Sequence, residues 1–309
     1  MQNLTWGRCM RSQFIKARVG ALGVVVTGLL LALAMPFSAF AASNTVYNAT
    51  PAVLPPNVQS LGYEATSTAQ FGDYVHLAGT SRKLDTVTVT MSNWALYSDY
   101  VNDARYSANN VSWTHPITVN VYSNHLDANG VPDTLLATTT QSVSIPWRPA
   151  ASPACGGTAW LADDNNCYNG KAFNAVFDMS SLNVTLPDDV IIGVAYNTAN
   201  YGASPILQAG PYNSLNVGIS ANQNVSVGTD DSINEVFWDT MFPGYSGGFK
   251  LDANWPASGT VAFKITASDG KPTNKDQCKN DGWKTFGAFR NQGDCVRFVA
   301  TEEQNLPTY

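Results

Sequence analysis

Leu84-Asp85-Thr86-Val87-Thr88-Val89-Thr90-Met91 carries the clearest structural signal in this chain. Leu84, Val87, Val89 and Met91 make one apolar face, and Thr86, Thr88 and Thr90 make a polar one. Side chains alternate across a strand with a period of two, so the stretch predicts a half-buried β-strand. Its β-branched residues suit a pleated surface packed on one side. Ile117, Val119 and Val121 repeat the pattern and run toward a turn at Asn129-Gly130.

Outward from these two segments, further short runs rich in β-branched and aromatic residues fall at 70–78, 135–145, 172–179, 190–197, 214–219, 233–241 and 260–267. Clusters of Gly, Pro, Asn and Asp separate them. Residues 42–61, with Pro51, Pro55 and Pro56, read as an extended lead-in with an edge strand near Val46. No window longer than ten residues has helical periodicity. The expected fold is all-β, a jelly-roll-like β-sandwich rather than an open barrel. After Asp269 the character changes. Gly270, Lys271 and Pro272 read as a linker, and the following residues carry a cysteine pair around Trp283, Phe286 and Phe289. So small a unit depends on its disulfide.

The first 41 residues predict export. Arg8, Arg11, Lys16 and Arg18 precede an apolar run from Val19 to Ala34, and Ala39-Phe40-Ala41 is a small-x-small cleavage site. The run is too short for a membrane span. The organisation expected is therefore a signal peptide at 1–41, a sandwich at 42–269, and a linker with a two-cysteine tail at 270–309. Beyond Ala41 the charge is 13 − 23 = −10, because all 23 acids and only 13 of the 17 bases lie there. That sign repels phosphate backbones, so no nucleic-acid partner is expected. Without a Lys/Arg cluster or a span, no lasting membrane association is expected either.

Cys9 leaves with the signal, so Cys155, Cys167, Cys278 and Cys295 remain. Four cysteines allow three connectivities. Short separations and an oxidising compartment favour Cys155–Cys167 and Cys278–Cys295. Neither spacing suits zinc, and no histidine is close in sequence.

Cys278-Lys279-Asn280-Asp281-Gly282-Trp283, leading to Asn291-Gln292-Gly293-Asp294-Cys295-Val296, resembles a short terminal module of secreted bacterial proteins, notably actinobacterial ones. The body resembles uncharacterised exported β-sandwich proteins in three phrases. They are Phe71-Gly72-Asp73 on to Val89, Val121-Tyr122 through Gly130-Val131-Pro132, and Leu182 through Ile191-Ile192-Gly193-Val194. The resemblance implies bacterial export and a sandwich fold, and carries no assigned activity.

His76, His115 and His125 stand in no nucleophile or zinc-protease motif. Asp99, Asp103, Glu235 and Asp239 are acids available to a glycosidase, yet no spacing pairs them across a cleft. No enzyme is expected. No metal or cofactor is expected either, although two oxygen-rich stretches could hold calcium. These are Asp127-Ala128-Asn129-Gly130 with Asp133, and Asp163-Asp164-Asn165-Asn166. Ordinary turn chemistry explains both as well. The candidate binding residues are aromatic: Trp94, Tyr97, Tyr100 and Trp113, interleaved with polar residues and Arg105, then Trp147 and Trp160 beside the first cysteine pair. Rings stack on sugar faces while Asn, Asp and Arg bond the hydroxyls. The expectation is a secreted, non-catalytic binding or adhesion protein whose partner is an extracellular glycan or surface polymer. A structural envelope or matrix component is the alternative, and an exported glycoside hydrolase comes third.

Overall fold

The computed structural model describes residues 43–220, 224–231, 234–253, 259–272, 274–286 and 289–301. The expected export signal lies outside the described residues. In chain order the strands begin with β1 (Asn44–Asn48), β2 (Ser60–Gly62), β3 (Thr68–His76), β4 (Lys83–Asn93) and β5 (Ser112–Ser123). Next come β6 (Leu135–Pro146), β7 (Trp160–Leu161), β8 (Cys167–Tyr168), β9 (Lys171–Asp178) and β10 (Asp189–Ala195). The last are β11 (Leu215–Ser220), β12 (Val236–Thr240), β13 (Lys250–Asp252), β14 (Thr260–Val261) and β15 (Phe263–Ser268).

These strands make two main antiparallel sheets. One contains the row β1-β15-β4-β9, with β11, β2 and β14 at its margin. The other runs β13-β12-β3-β10-β5-β6. Numbering the eight strands β1, β3, β4, β5, β6, β9, β10 and β15 in sequence gives rows 1-8-3-6 and 2-7-4-5. This interleaving is that of a jelly roll, in which each sheet takes its strands alternately from a double Greek key. The chain is an all-β jelly-roll sandwich.

β4 shows why its sequence reads as it does. Val87, Val89 and Met91 face the core, packed with Phe263 and Ile265 of β15 and Phe173 and Phe177 of β9. Leu84 is also buried, although it stands three residues before Val87. The register against β15 slips between Thr266 and Ala267, so Asp85 is the extra residue of a bulge. The opposite wall of the core comes from Phe71 and Val75 of β3, Val190, Ile192 and Val194 of β10, and Ile117, Val119 and Val121 of β5. Each such side chain contributes about 1.5–3 kcal/mol when fully buried. The free edges of β6 and β9 approach one another. With its amide oriented by that network, Gln141 of β6 donates to the Val176 carbonyl at 3.1 Å and accepts from the Asp178 N–H at 3.0 Å. A side chain thus satisfies groups that an open edge strand would expose.

The cysteines pair locally, Cys155 with Cys167 and Cys278 with Cys295, each with a Cα–Cα distance of 5.6 Å. The first bond pins a loop against the small hairpin β7–β8. The second closes the tail, which has its own core of Cys278, Cys295, Phe289 and Phe298. Helix α1 (Gln292–Ala300) begins at Asn291, whose side chain accepts from the Asp294 N–H at 2.9 Å. Between body and tail the chain turns at Gly270, where φ is +65° and a Cβ would press on Lys83 Cγ at 2.9 Å. Because the tail buries its apolar residues internally, replacing Cys278 and Cys295 by serine should loosen the tail alone. Hydrogen exchange should rise in 274–301, with the main melting transition within a few degrees of the parent. Loss of the main transition would show instead that the tail completes the sandwich.

Candidate functional site

The aromatic loop candidates divide sharply. Trp113 and Trp147 are buried in the main core, as is Tyr106 beside them. Trp147 stacks on Tyr100 at 5.8 Å, meets Tyr97 edge-on at 5.8 Å and lies 6.0 Å from Trp113. Tyr106 contacts both Trp113 and Tyr212 edge-to-face. Of the expected recognition surface, Trp113 and Trp147 are therefore core residues, and Tyr97 and Tyr100 pack half-buried against them. The physical reason is area. Rings of this size bury about 150–250 Å² each, and a loop dense in them folds inward. Trp160 is also buried, packed on Tyr168, and its Nε1 donates to the Gly170 carbonyl at 2.8 Å. Of the six, Trp94 alone is exposed, at 43%. Its indole rests over Gly170, and its Nε1 donates to Ser92 Oγ at 3.0 Å.

The polar candidates are also accounted for. Asp127 Oδ1 accepts from the backbone N–H groups of Asn129 and Val131 at 2.7 and 2.9 Å. Asp164 accepts from Asn166 N–H and Tyr168 Oη at 3.0 and 2.7 Å. Turn bonds hold both carboxyls below their ordinary range. Among the described residues no group of three or more His, Cys, Asp or Glu is placed to hold a metal. His115 is buried against Tyr212, and burial pushes its pKa down to about 4. Asp103 pairs with Arg105 at 2.6 Å. His76 Nδ1 and Tyr74 Oη meet the same oxygen of Asp189, at 2.6 and 2.7 Å.

A site that the loop reading missed lies on the outer face of the six-stranded sheet. Along β10, the central strand, the outward residues Gly193 and Ala195 are small. In register they stand opposite Gly72 and Gln70 of β3 and opposite Asn120 and Thr118 of β5. Strands lie about 4.8 Å apart, and over this low floor the long Gln70 side chain crosses from β3 to β5. A side chain on Gly193 would overlap the Gln70 amide, which lies directly over it. Gln70 donates from Nε2 to Tyr122 Oη at 3.2 Å and accepts from Asn120 Nδ2 at 3.3 Å. Thr138 of β6 donates to Asn120 Oδ1 at 2.7 Å, which fixes that amide.

The same face has an apolar end. Phe249 stacks on Tyr122 at 5.2 Å and lies against Phe237 at 5.7 Å, over the Gly72–Gly193 pair. A Cβ on Gly72 would meet the Phe249 ring at 2.6 Å, so glycine is required for the ring to settle there. At the polar end Asp239 of β12 stands opposite Gln70. Asp239 is half-buried, and among the described residues it has no hydrogen-bond or ion-pair partner. Burial alone raises its carboxyl above the ordinary value. Its charge in turn helps to raise the Tyr122 phenol, after burial, while the Gln70 amide opposes the rise. Gln70 itself is buried, so what this face presents is the Asp239 carboxylate together with the half-buried Asn120 and Tyr122 that Gln70 orders.

Two glycines inside otherwise regular strand patterns, Gly72 and Gly193, are the sequence signal that points here, since a strand glycine marks close approach of another group. Comparison of this chain with known protein families, curated proteins and solved structures finds no match.

Proposed function

We propose that this chain is an exported, non-catalytic binding protein that takes a hydroxyl-rich glycan or surface polymer along the outer face of the six-stranded sheet. The observation carrying the reading is the Asp239 carboxylate, without a partner among the described residues, standing opposite the buried Gln70 that orders the half-buried Tyr122 and Asn120 on the outer face. Partial burial costs the Asp239 carboxylate some of its hydration, and a ligand hydroxyl can donate to it. The disulfides support an oxidising location, and no described helix is long and apolar enough to cross a membrane. Asp239 has no second carboxylate beside it in the row Tyr122–Gln70–Asn120, which favours binding over glycoside hydrolysis.

Asp239→Ala and Asn120→Ala should each weaken binding in a glycan screen by about tenfold or more, roughly 1.4 kcal/mol. Both positions are half-buried on the outer face and outside the core, so the melting temperature should fall by no more than a few degrees. If Trp94→Ala alone abolished binding, the site would move to the Gly170 side. The matrix alternative draws on the exposed apolar residues Leu207, Met241 and Phe242. It requires concentration-dependent assembly that their replacement by serine suppresses.

A further inference from the structure

We infer that the ligand of this face carries a protonated amine, and that it is a deacetylated amino-sugar polymer rather than a neutral or acidic one. The inference rests on the glycan-binding reading above. Asp239 is the group that selects, since a half-buried carboxylate without a partner favours a cation over a neutral hydroxyl donor. The outward positions of β3, β5, β6, β10 and β12 hold no lysine or arginine. Nothing on those strands therefore competes for the carboxylate or attracts an acidic sugar. The chain beyond residue 41 has a charge of 13 − 23 = −10, which draws cationic polymers and repels uronic or sulfated ones. Tyr122 reaches toward the Asp239 end only by its phenol oxygen, which bonds Gln70. Thr118, Asn120 and Thr138 on the far side suit the hydroxyls of the same sugar.

The test compares three probes against the parent protein, Asp239→Asn and Asn120→Ala. The probes are a glucosamine tetramer, its fully N-acetylated counterpart, and tetralysine. The parent should bind the glucosamine tetramer at least tenfold more tightly than the N-acetylated one at low ionic strength. Asp239→Asn should abolish that preference, lowering affinity for the glucosamine tetramer at least tenfold more than affinity for the N-acetylated one. Raising the salt should narrow the preference. Equal affinity for the two sugars, or a preference that survives in Asp239→Asn, overturns the inference. Tetralysine binding as tightly as the glucosamine tetramer overturns the sugar as the source of the amine. If neither sugar binds, but a neutral glycan does so with sensitivity to Asn120→Ala, the amine is refuted and the binding face stands. If no glycan binds with sensitivity to Asn120→Ala, the binding face fails as well.

Discussion

Trp113→Ala is expected to destabilise the protein by about 3–5 kcal/mol, the range for truncating a buried aromatic. For a sandwich of this size that corresponds to a fall of roughly 10 °C in Tm. Trp113 is 3% exposed and touches Tyr106, His115 and Trp147, so its removal leaves a cavity among them. Trp147→Ala should cost a similar amount. Because the two rings are in contact, the double variant should cost less than the sum. Among the described residues Trp113 Nε1 has no hydrogen-bond partner, so Trp113→Phe forfeits packing area but no bond and should cost distinctly less than alanine. Trp94→Ala should change stability by less than about 1 kcal/mol, as an exposed substitution does. Thermal melts of the four single variants check the set. A Trp113→Ala protein melting like the parent would place that ring outside the core and restore the loop as a recognition surface.

The contrast between Trp94 and Trp113 also shows where sequence reading runs out. Both are tryptophans among polar residues, and local sequence does not say which way a loop folds. Trp113 is inward because it lies on β5 in phase with Ile117, Val119 and Val121, a phase that His115 shares. Extending the period of two backward across Pro116 would have predicted it. Strand positions were legible because alternation is local: β3, β6, β9, β10 and β15 all fall on stretches whose pattern announces them. The bulge at Asp85 was present as the three-residue step from Leu84 to Val87. It has meaning only once β15 is known to be the neighbour.

The outer-face site is illegible for a related reason. Gln70, Asn120, Thr138 and Asp239 are each an ordinary polar residue on the outer side of a strand. They become a site through pairings that join β3 to β10 and β12 over more than a hundred residues. No local period encodes which strands become neighbours. Gly72 and Gly193 are the exceptions, since glycine in a strand interior is unfavourable unless something must come close. Here the Phe249 ring and the Gln70 amide do so.

The stability of this protein should fall as pH rises above the ordinary carboxylate range, by way of a carboxyl pair buried inside the sandwich. Asp73 of β3 is 2% exposed, and its oxygens accept from the N–H groups of Val261 and Tyr74 at 2.8 and 2.9 Å. The segment 226–230 crosses between β1 and the end of β3, tied by Asn48 N–H to Val227 O and His76 N–H to Thr229 O, both at 2.9 Å. It brings in Asp230, also buried, which accepts from the Thr260 hydroxyl. Burial raises the Asp73 carboxyl well above the ordinary value, the charge of Asp230 raises it further, and Glu235 adds a smaller push. The two backbone donors oppose the rise without cancelling it. From β1, Tyr47 faces the pair with a hydroxyl that lacks a partner among the described residues, its ionisation suppressed by burial and by both carboxyls.

Two buried like charges repel in a low dielectric, so the folded protein keeps a proton that the unfolded chain releases near the ordinary carboxylate value. A folded-state value above the unfolded one stabilises fully below the unfolded value, and that stability is lost as pH rises through the folded one. Between the two, the loss is about 1.4 kcal/mol per pH unit for one proton. Segment 226–230 is the part that ionisation strains, because Asp230 lies on it. Asp230→Asn removes the like charge, and its amide can still bond the Thr260 hydroxyl, which donates or accepts. The variant should therefore gain on the parent steadily as pH rises above the ordinary carboxylate range, and its segment 226–230 should exchange more slowly at the upper end of that rise. Tyr47→Phe should leave the pH slope unchanged and be neutral or stabilising, since it deletes an unpartnered hydroxyl. Opposite-sign terms, such as His115 depressed to about 4, act on the acid side and are common to all three proteins. They cancel in the difference. Denaturant melts of the three proteins at stepped pH decide it: parallel parent and Asp230→Asn profiles would show that Asp73 and Asp230 do not share a proton.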